Sequence, residues 1–394
     1  MFTLVENEKS AKINVIGVGG AGGNAINNMI DSNLSGVKFI AANTDAQALE
    51  VSRALVKIQL GEKLTQGLGA GANPLLGREA ALENWEAIKN AMGDSHMVFI
   101  TAGFGGGTGT GAAPVIAEIC KEVGALTVAV VTKPFSFEGK KRSAVAEEGI
   151  DRLKDVADTV ITIPNDRLRG IATKNTTMIE MFKKADEILL HSVKGITDLI
   201  MMPGLVNLDF ADVKTTMSKA GMAIMGIGIA SGDNRAILAA ENAISHPLLE
   251  DISISGARGV LMNITSSTSL TMEEMTEASE RIYNEVGENA EIIWGAVVDD
   301  SLGDEMCVTV IATGIGSDTE PIVSERLDEV PLRGRVRDVT PADLQNVVDY
   351  DEPTFIRVKE AAGESTGATY RGYKGMVIDN DDLDIPTFLR KKAD

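Results

Sequence analysis

The chain has 394 residues, enough for two domains and a tail, and its 44% hydrophobic content can build a substantial core. A formal charge of −20 argues against a protein that wraps nucleic acid or binds anionic lipid through its own body. Two cysteines in apolar runs favour a reducing compartment, and three scattered histidines form no metal-binding pattern. The first eleven residues lack an apolar signal core, and residues 220–230 are too short to span a bilayer, so we expect a cytoplasmic protein.

The first glycine-rich turn lies between a strand predicted at residues 12–17 and a helix predicted at residues 25–29. Residues 17–22 (GVGGAG) contain the G-x-G-x-x-G pattern of dinucleotide-binding folds. The next predicted strand, residues 37–42, leads to Asp45, which lies 23 residues beyond Gly22, near the position of a ribose-binding acid. Taken alone, this turn favours an NAD-dependent oxidoreductase.

A second glycine-rich turn, residues 101–114 (TAGFGGGTGTGAAP), separates a strand predicted at 96–100 from a helix predicted at 115–123. Free backbone N–H groups and a helix dipole at such a turn hold anions, and Thr108 and Thr110 add hydroxyl donors. The Lys that a P-loop needs after its last glycine is replaced by Ala112. Because a dinucleotide fold uses one such turn, two turns favour a chain of three phosphates.

Strands and helices alternate through the first half of the chain, which predicts a doubly wound α/β fold with ligands at the carboxyl ends of its strands. The further elements predicted there are strands at 56–60, 126–132 and 159–164, helices at 78–92 and 138–154, and a glycine loop at 64–74.

A long helix is predicted at residues 177–202, followed by the turn LVNLDFADV at 205–213. Asp209 and Asp212 in this turn are either functional carboxylates or helix-capping residues. The block from residue 221 to 314 predicts a smaller α+β domain, with strands at 221–230, 259–265, 292–298 and 308–313 and helices at 235–244 and 272–286.

Beyond residue 315 the sequence loses its periodicity, which predicts a disordered linker. The chain closes with an apolar cluster between an acidic and a basic segment, a composition that suits a peptide docking into partner grooves.

Four motifs in this order resemble the FtsZ family, the bacterial tubulin homologues of the division ring: GAGGN at 20–24, GGGTGTG at 105–111, NLDFADV at 207–213 and DLDIPTFLR at 382–390. The resemblance implies a tubulin-like GTPase domain, a Rossmann-like parallel sheet with helices on both faces, joined by a long central helix to a smaller α+β domain. The implied segments are a disordered N-terminus (1–11), the GTP-binding domain (12–176), the central helix (177–202), the C-terminal activation domain (203–315), a disordered linker (316–378) and a partner-binding tail (379–394).

Carried over residue by residue, the resemblance implies a GTP/GDP site. The phosphates would be held by Gly20, Ala21, Gly22, Gly23, Asn24, Gly106, Gly107, Thr108 and Gly109, with Ala70, Gly71 and Ala72 bordering the γ-phosphate. Glu138 and Arg142 would lie at the ribose and phosphates, Asn165 and Asp186 would bind the guanine edge, and Phe182 would stack on the base. The remaining implied nucleotide-binding residues are Asn43, Gly103, Gly105, Thr110 and Pro134.

The resemblance also implies a mechanism, in which Asp209 and Asp212, with Asn207 nearby, polarise water in the next subunit's pocket. Hydrolysis would then depend on head-to-tail self-assembly into filaments of the midcell Z ring, with Mg²⁺ on the phosphates and no metal-ligating residues assigned. Membrane-tethering and regulatory division proteins would bind the tail, so that membrane contact is indirect. The implied tail contacts are Asp382, Leu383, Ile385, Pro386, Phe388, Leu389 and Arg390. The alternatives are the NAD-dependent oxidoreductase and a nucleotide-binding scaffold without hydrolysis.

Overall fold

The computed structural model describes residues 11–170, 176–202, 204–206, 208–218, 221–249, 254–287 and 290–315, together with the backbone of 370–371 and 377–378. The chain divides into two units, Met1–Asp318 and Thr319–Asp394. In the second unit, Tyr370–Arg371 pairs antiparallel with Val377–Ile378 inside the segment predicted as linker. The rest of that linker, the tail peptide and residues 1–10 lie outside the described residues.

Strands and helices alternate along the first unit. Its strands are β1 (Ile13–Val18), β2 (Val37–Asn43), β3 (Val56–Gln59), β4 (Met97–Gly103), β5 (Leu126–Lys133), β6 (Thr159–Pro164), β7 (Gly204–Val206), β8 (Gly221–Ser231), β9 (Gly259–Ser266), β10 (Glu291–Val298) and β11 (Glu305–Ile315). Its helices are α1 (Gly19–Asp31), α2 (Ala46–Glu50), α3 (Glu62–Thr65), α4 (Pro74–Glu83), α5 (Trp85–Met92), α6 (Thr108–Val123), α7 (Lys140–Lys154), α8 (Met178–Met201), α9 (Phe210–Ser218), α10 (Arg235–Ile244) and α11 (Met272–Val286). Short 3₁₀ turns lie at Ser136–Glu138, Asn165–Gly170, Pro247–Leu249 and Asp300–Leu302.

These strands form one sheet in the order β3-β2-β1-β4-β5-β6-β8-β11-β9-β10-β7. Neighbours from β3 to β8 are parallel, and the second half is mixed. The predicted doubly wound α/β fold is confirmed. The two halves of the sheet are continuous through the pairing of β6 with β8, a connection that was not predicted from the sequence.

Alternate side chains of the parallel strands enter different cores on the two faces of the sheet. Val15 and Phe99 pack in a cluster with residues of α1 and α8, whereas their neighbours Ile16 and Ile100 pack in a cluster with residues of α4, α5 and α6. A third cluster joins α10 and α11 to β8, β9 and β11. Burial on both faces explains why these strands are continuously apolar in sequence.

Several helix bounds differ from prediction. Helices α1 and α6 begin at Gly19 and Thr108, six and seven residues before the predicted starts, so part of each glycine turn forms the first turn of a helix. The helix predicted at 78–92 is divided at Asn84, whose side chain accepts a hydrogen bond from the Gly61 amide at 2.7 Å. The long helix α8 lies within one residue of its predicted bounds, and the Thr177 side chain caps it.

Close backbone contact between β8 and α10 depends on Gly228. A methyl group there would overlap the Ala239 carbonyl oxygen, which belongs to the backbone of α10. We expect Gly228→Ala to lower the free energy of unfolding by about 1–3 kcal/mol, the usual cost of overpacking. Gly170→Ala is the matched control, because its methyl would meet Pro247 at an ordinary 3.8 Å. Equal stability of the two variants in urea unfolding would contradict this account.

Candidate active site

Two helix N-termini meet at one edge of the sheet. Helix α1 follows β1 directly, and α6 follows β4 after a short glycine loop. A methyl group on Gly19 (φ +74°) would lie 3.1 Å from the Gly109 amide nitrogen, so the two helix starts are in contact. Each start carries unpaired N–H groups and the positive end of a helix dipole. Together they form a site for a multiply charged anion.

A cleft of about 290 Å³ opens beside these helix starts, at the carboxyl ends of β1, β4, β5 and β6. Ligands of doubly wound folds bind at this edge. The predicted site residues that line the cleft are Gly20, Ala21, Asn24, Gly103, Gly106, Gly107, Thr108, Gly109, Pro134, Glu138, Arg142, Asn165, Phe182 and Asp186.

The part of the cleft lined by Asn165, Phe182 and Asp186 is suited to bind a nucleobase. The Phe182 side chain is 45% exposed although it belongs to the long helix α8, and the ring of buried Phe135 contacts it edge-on at 5.7 Å. The Asn165 side-chain oxygen is buried and has no hydrogen-bond partner among the described residues. Burial and the neighbouring Glu187 raise the pKa of Asp186 to about 7. An exposed ring beside an unsatisfied amide oxygen and a half-buried carboxyl points to a flat, hydrogen-bonding ligand.

Glu138 and Arg142, which also line the cleft, form a local structure next to Phe135. One Glu138 carboxylate oxygen accepts from the Phe135 amide at 2.8 Å, and the other is 3.0 Å from an Arg142 guanidinium nitrogen. A methyl on Gly105 (φ +95°) would lie 2.8 Å from Arg142, so this glycine lets the loop before α6 pass beneath the arginine.

Other predicted residues lie around the cleft without lining it. Gly23 and Asn43 line an adjacent cavity of about 90 Å³, which shares Gly20 and Asn24 with the cleft. Gly22 is required by packing, since a methyl there would overlap the Thr101 carbonyl oxygen. The loop that contains Ala70, Gly71 and Ala72 lies against Gly107. A methyl group added at Gly107 would lie 2.9 Å from the Ala70 Cβ.

The two threonines predicted as phosphate donors are already engaged. The Thr110 hydroxyl is buried and accepts a hydrogen bond from the Gly105 amide at 2.9 Å. The Thr108 and Thr44 hydroxyls lie 2.6 Å apart, although Thr108 also lines the cleft. The geometry therefore gives Thr110 a role in shaping the loop, and its phosphate contact stays a prediction, because a hydroxyl that accepts a hydrogen bond can still donate one.

Asp45 does not face the cleft as a ribose-binding acid. Its carboxylate caps α2 and accepts from the amides of Gln47 at 2.9 Å and Ala48 at 3.4 Å. This capping removes the residue that, together with the first glycine turn, favoured an NAD site.

The acidic turn lies at the opposite end of the sheet. Asp209 precedes α9, and its carboxylate accepts a hydrogen bond from the Asp212 amide at 2.9 Å, so the predicted capping contact is present. Both aspartates are exposed, and Asn207 lies outside the described residues. The adjacent Phe210 contacts His96, which precedes the first residue of β4, whereas the cleft residue Gly103 ends that strand. Seven strand residues span about 20 Å, so the turn and the cleft of one chain are well separated.

Five residues that line the cleft were not predicted from the sequence: Gly19, Phe104, Thr132, Ala185 and Leu189. Ala185 and Leu189 follow Phe182 by three and seven positions and so share its helix face, a periodicity that could have identified them. Thr132 lies at the carboxyl end of a predicted parallel strand, where ligands bind.

Comparison with known proteins identifies the family. A family model described as the GTPase domain of the Tubulin/FtsZ family matches residues 12–173, and one for the C-terminal domain of the FtsZ family matches residues 221–316. The cell division protein FtsZ of Pseudomonas aeruginosa is 49% identical over 399 residues and covers 100% of both chains. The chain belongs to the FtsZ family.

Further relatives agree with this assignment. The cell division protein FtsZ of Coxiella burnetii is 49% identical over 99% of both chains. A solved FtsZ dimer from M. jannaschii, described as empty, is 48% identical with a TM-score of 0.76, over 79% of this chain and 90% of that one. As an FtsZ-family member, the chain is a tubulin-like cell-division GTPase that binds GTP and GDP and assembles into filaments. These matches give no support to the NAD-dependent oxidoreductase.

Asp186 provides a pH test of the base-binding end. We expect GTP affinity to fall as the pH is lowered through about 7, because a carboxyl with this raised pKa must lose its proton before it accepts from guanine. Well below that pKa, the Kd for GTP should rise about tenfold for each unit by which the pH is lowered. The measurement is calorimetric titration with GTP across this range.

The triphosphate also titrates near neutral pH, so Asp186→Asn is the matched control for this measurement. The variant should bind GTP more weakly and should lack the part of the pH dependence that belongs to Asp186. Identical pH dependence in the two proteins would contradict the assignment.

Proposed function

We propose that the chain hydrolyses GTP at the junction between successive subunits of a head-to-tail filament, where the acidic turn of one subunit completes the cleft of the next. The observation that carries this proposal is the separation of the two parts. The cleft lies at the carboxyl end of β4, and the turn lies beyond the amino end of that strand, about 20 Å away. A turn at the opposite end of the sheet can reach a nucleotide only in another subunit.

The cleft itself offers no obvious group to activate water. Among the described residues that line it, the acidic side chains are Glu138 and Asp186. Both oxygens of Glu138 are engaged, by the Phe135 amide and by Arg142. Asp186 lies beside Phe182 at the base-binding end. The cleft can therefore bind and orient GTP, while Asp209 and Asp212 supply the missing negative charge from the neighbouring subunit.

The proposed mechanism relies on positioning and electrostatics. Backbone N–H groups at the starts of α1 and α6 hold the phosphate oxygens and stabilise charge that develops during phosphoryl transfer. Asp209 and Asp212 orient and polarise the attacking water, with Asn207 nearby. Capping by Asp209 is compatible with this role, since it fixes the turn while both aspartates remain exposed.

Guanine is selected at the other end of the cleft. An ionised Asp186 accepts from the N1–H and amino groups, which adenine does not offer together. The Asn165 side-chain oxygen, which has no hydrogen-bond partner among the described residues, supplies a second acceptor, and the exposed ring of Phe182 stacks on the base. Glu138 and Arg142 lie at the ribose and phosphates.

Mg²⁺ fits the chemistry of the substrate. The described residues bring no three His, Cys, Asp or Glu side chains together as a metal-binding group, whereas triphosphate oxygens are the hard ligands that Mg²⁺ prefers. Bound through the phosphates, the ion would neutralise part of their negative charge.

A filament follows from the geometry of such a contact. A turn at one end of a subunit that enters a cleft at the opposite end makes a heterologous interface, which propagates instead of closing into a dimer. Residues 379–394 would then bind membrane-tethering and regulatory division proteins, and place the filament in the cytoplasm at midcell. No helix among the described residues has both the length and the apolar composition to cross a membrane.

Asp212→Ala tests the proposed catalytic turn. We expect the variant to bind GTP and to sediment as polymer, while turnover per polymerised subunit falls at least about tenfold, because a charge that positions water in the transition state is lost. Asp233→Ala, which removes an exposed aspartate ahead of α10, should retain wild-type turnover. Wild-type turnover by Asp212→Ala polymers would refute the role.

Removal of residues 379–394 tests the tail. We expect the truncated chain to polymerise with unchanged GTP turnover, because the cleft and the acidic turn lie in the first unit. Recruitment of its filaments to vesicles that carry a membrane-tethering division protein should be abolished. Co-flotation of truncated filaments at the wild-type level would contradict the assignment.

A further inference from the structure

The acidic turn is attached to the GTPase half of its own chain through an aromatic contact. Phe210, the residue after Asp209, is half-buried, and its ring lies 6.0 Å from the His96 imidazole at an interplanar angle of 52°. This separation and tilt are typical of interacting aromatic pairs. The first residue of α9, which lies between the two aspartates in the sequence, is thus held by a ring contact.

His96 is a rigid support for this contact. Its backbone N–H donates to the Lys12 carbonyl at 2.9 Å, and its own carbonyl accepts from the Leu126 amide at 2.9 Å. Its imidazole Nδ1 accepts from the Lys12 amide at 2.9 Å, which places the proton of the neutral ring on Nε2. The imidazole is therefore fixed to the amino ends of β1, β4 and β5, although it is exposed to solvent.

The other side of the turn is attached to the second half of the sheet. Strand β7, which precedes the turn, pairs with β10 through Val206 and Ala296. The Leu208 side chain packs beside Gly295 of β10. A methyl group added at Gly295 would lie 3.6 Å from the Leu208 Cγ. The turn is consequently attached to both halves of the chain. Farther along α9, the Met217 carbonyl also accepts a hydrogen bond from the Thr159 hydroxyl of β6.

We propose that Phe210 is a positioning residue for GTP hydrolysis. Through its contact with His96, it holds Asp209 and Asp212 in the position from which they reach the nucleotide of the neighbouring subunit. The proposal rests on the function proposed above. If the Phe210 ring is removed, the turn stays attached through β7, Leu208 and the C-terminal end of α9, but the start of α9, which carries the aspartates, can tilt relative to the GTPase half. A displacement of about 1 Å is enough to cost catalysis a large factor.

A purely structural role predicts different kinetics. If Phe210 only filled space, other apolar side chains would replace it, and its removal would lower stability without changing the rate in assembled filaments. A positioning role predicts a lower kcat per polymerised subunit with little change in KM, since Phe210 does not line the nucleotide cleft. It also predicts that the effects of Phe210 and His96 are not additive.

The experiment measures GTP turnover per polymerised subunit, as kcat and KM, with folding checked by circular dichroism and assembly by sedimentation. We expect Phe210→Ala and Phe210→Leu to lower kcat about tenfold with KM within about twofold of wild type. Phe210→Tyr keeps the ring and should retain kcat within about twofold. His96→Ala should show part of the same decrease, and adding it to Phe210→Ala should cause no further decrease.

Met217→Ala is the matched control, because it removes a fully buried side chain from the same helix without touching His96. It should lower stability and leave kcat of the polymer unchanged. Wild-type kcat in Phe210→Leu polymers, or an equal decrease in Met217→Ala, would overturn the positioning role. Asp212→Ala is measured in parallel. If Asp212→Ala is inactive while Phe210→Leu has wild-type turnover, only the positioning role is refuted. If Asp212→Ala itself has wild-type turnover, the proposed function is refuted.

Discussion

The structure depends on backbone contacts that glycine alone permits between two helix starts and strand β4. Gly22 of α1 lies against the Thr101 carbonyl of β4, and Gly109 of α6 lies against the Gly103 carbonyl. A side chain at either position would move a helix away from the sheet. These contacts bring the N-termini of α1 and α6 side by side, so that two dipoles and two sets of free amides face one cleft. A triphosphate can then be bound without a P-loop lysine.

In the mechanism proposed above, the same arrangement makes hydrolysis depend on assembly. Helix starts and backbone amides bind phosphate well, but they cannot orient or deprotonate a water molecule. The residues that can do so begin α9, at the amino end of the parallel strands, and the strand length separates them from the cleft of their own chain. Nucleotide binding is thus a property of one chain, whereas turnover belongs to a pair.

Much of this fold could be predicted from periodicity. Helices α10 and α11 have the bounds that apolar spacing predicts, and α8 differs by one residue at each end. The starts of α1 and α6 could not be predicted, because glycine has a low helix propensity and its presence there reflects tertiary contacts. The break at Asn84 likewise depends on a hydrogen bond to Gly61, which is distant in sequence.

The sequence indicated most of the residues that line the cleft, but it was less informative about what each of them does there. Spacing alone placed Asp45 near a ribose, but the carboxylate caps α2 instead. Thr110 resembles a phosphate donor in sequence, yet its hydroxyl holds the Gly105 amide. Phe182 has the pattern of a core residue, and only its exposure beside the cleft distinguishes it. The contacts of Asp45 and Thr110 are local, at separations of two and five residues, but residue type and spacing alone do not distinguish a capping or loop-shaping role from a ligand contact. For Phe182 the contact with Phe135 joins distant segments, and only the family resemblance indicated its place at the base.

The most direct test of the shared active site is GTP turnover per subunit over a range of protein concentrations, with light scattering recorded on the same samples. The shared site predicts negligible turnover below a threshold concentration, and a rise in turnover together with scattering above it. Turnover per subunit that is constant from dilute to concentrated protein would show that one chain holds a complete site. Asp209 and Asp212 would then serve only as the cap and the first turn of α9.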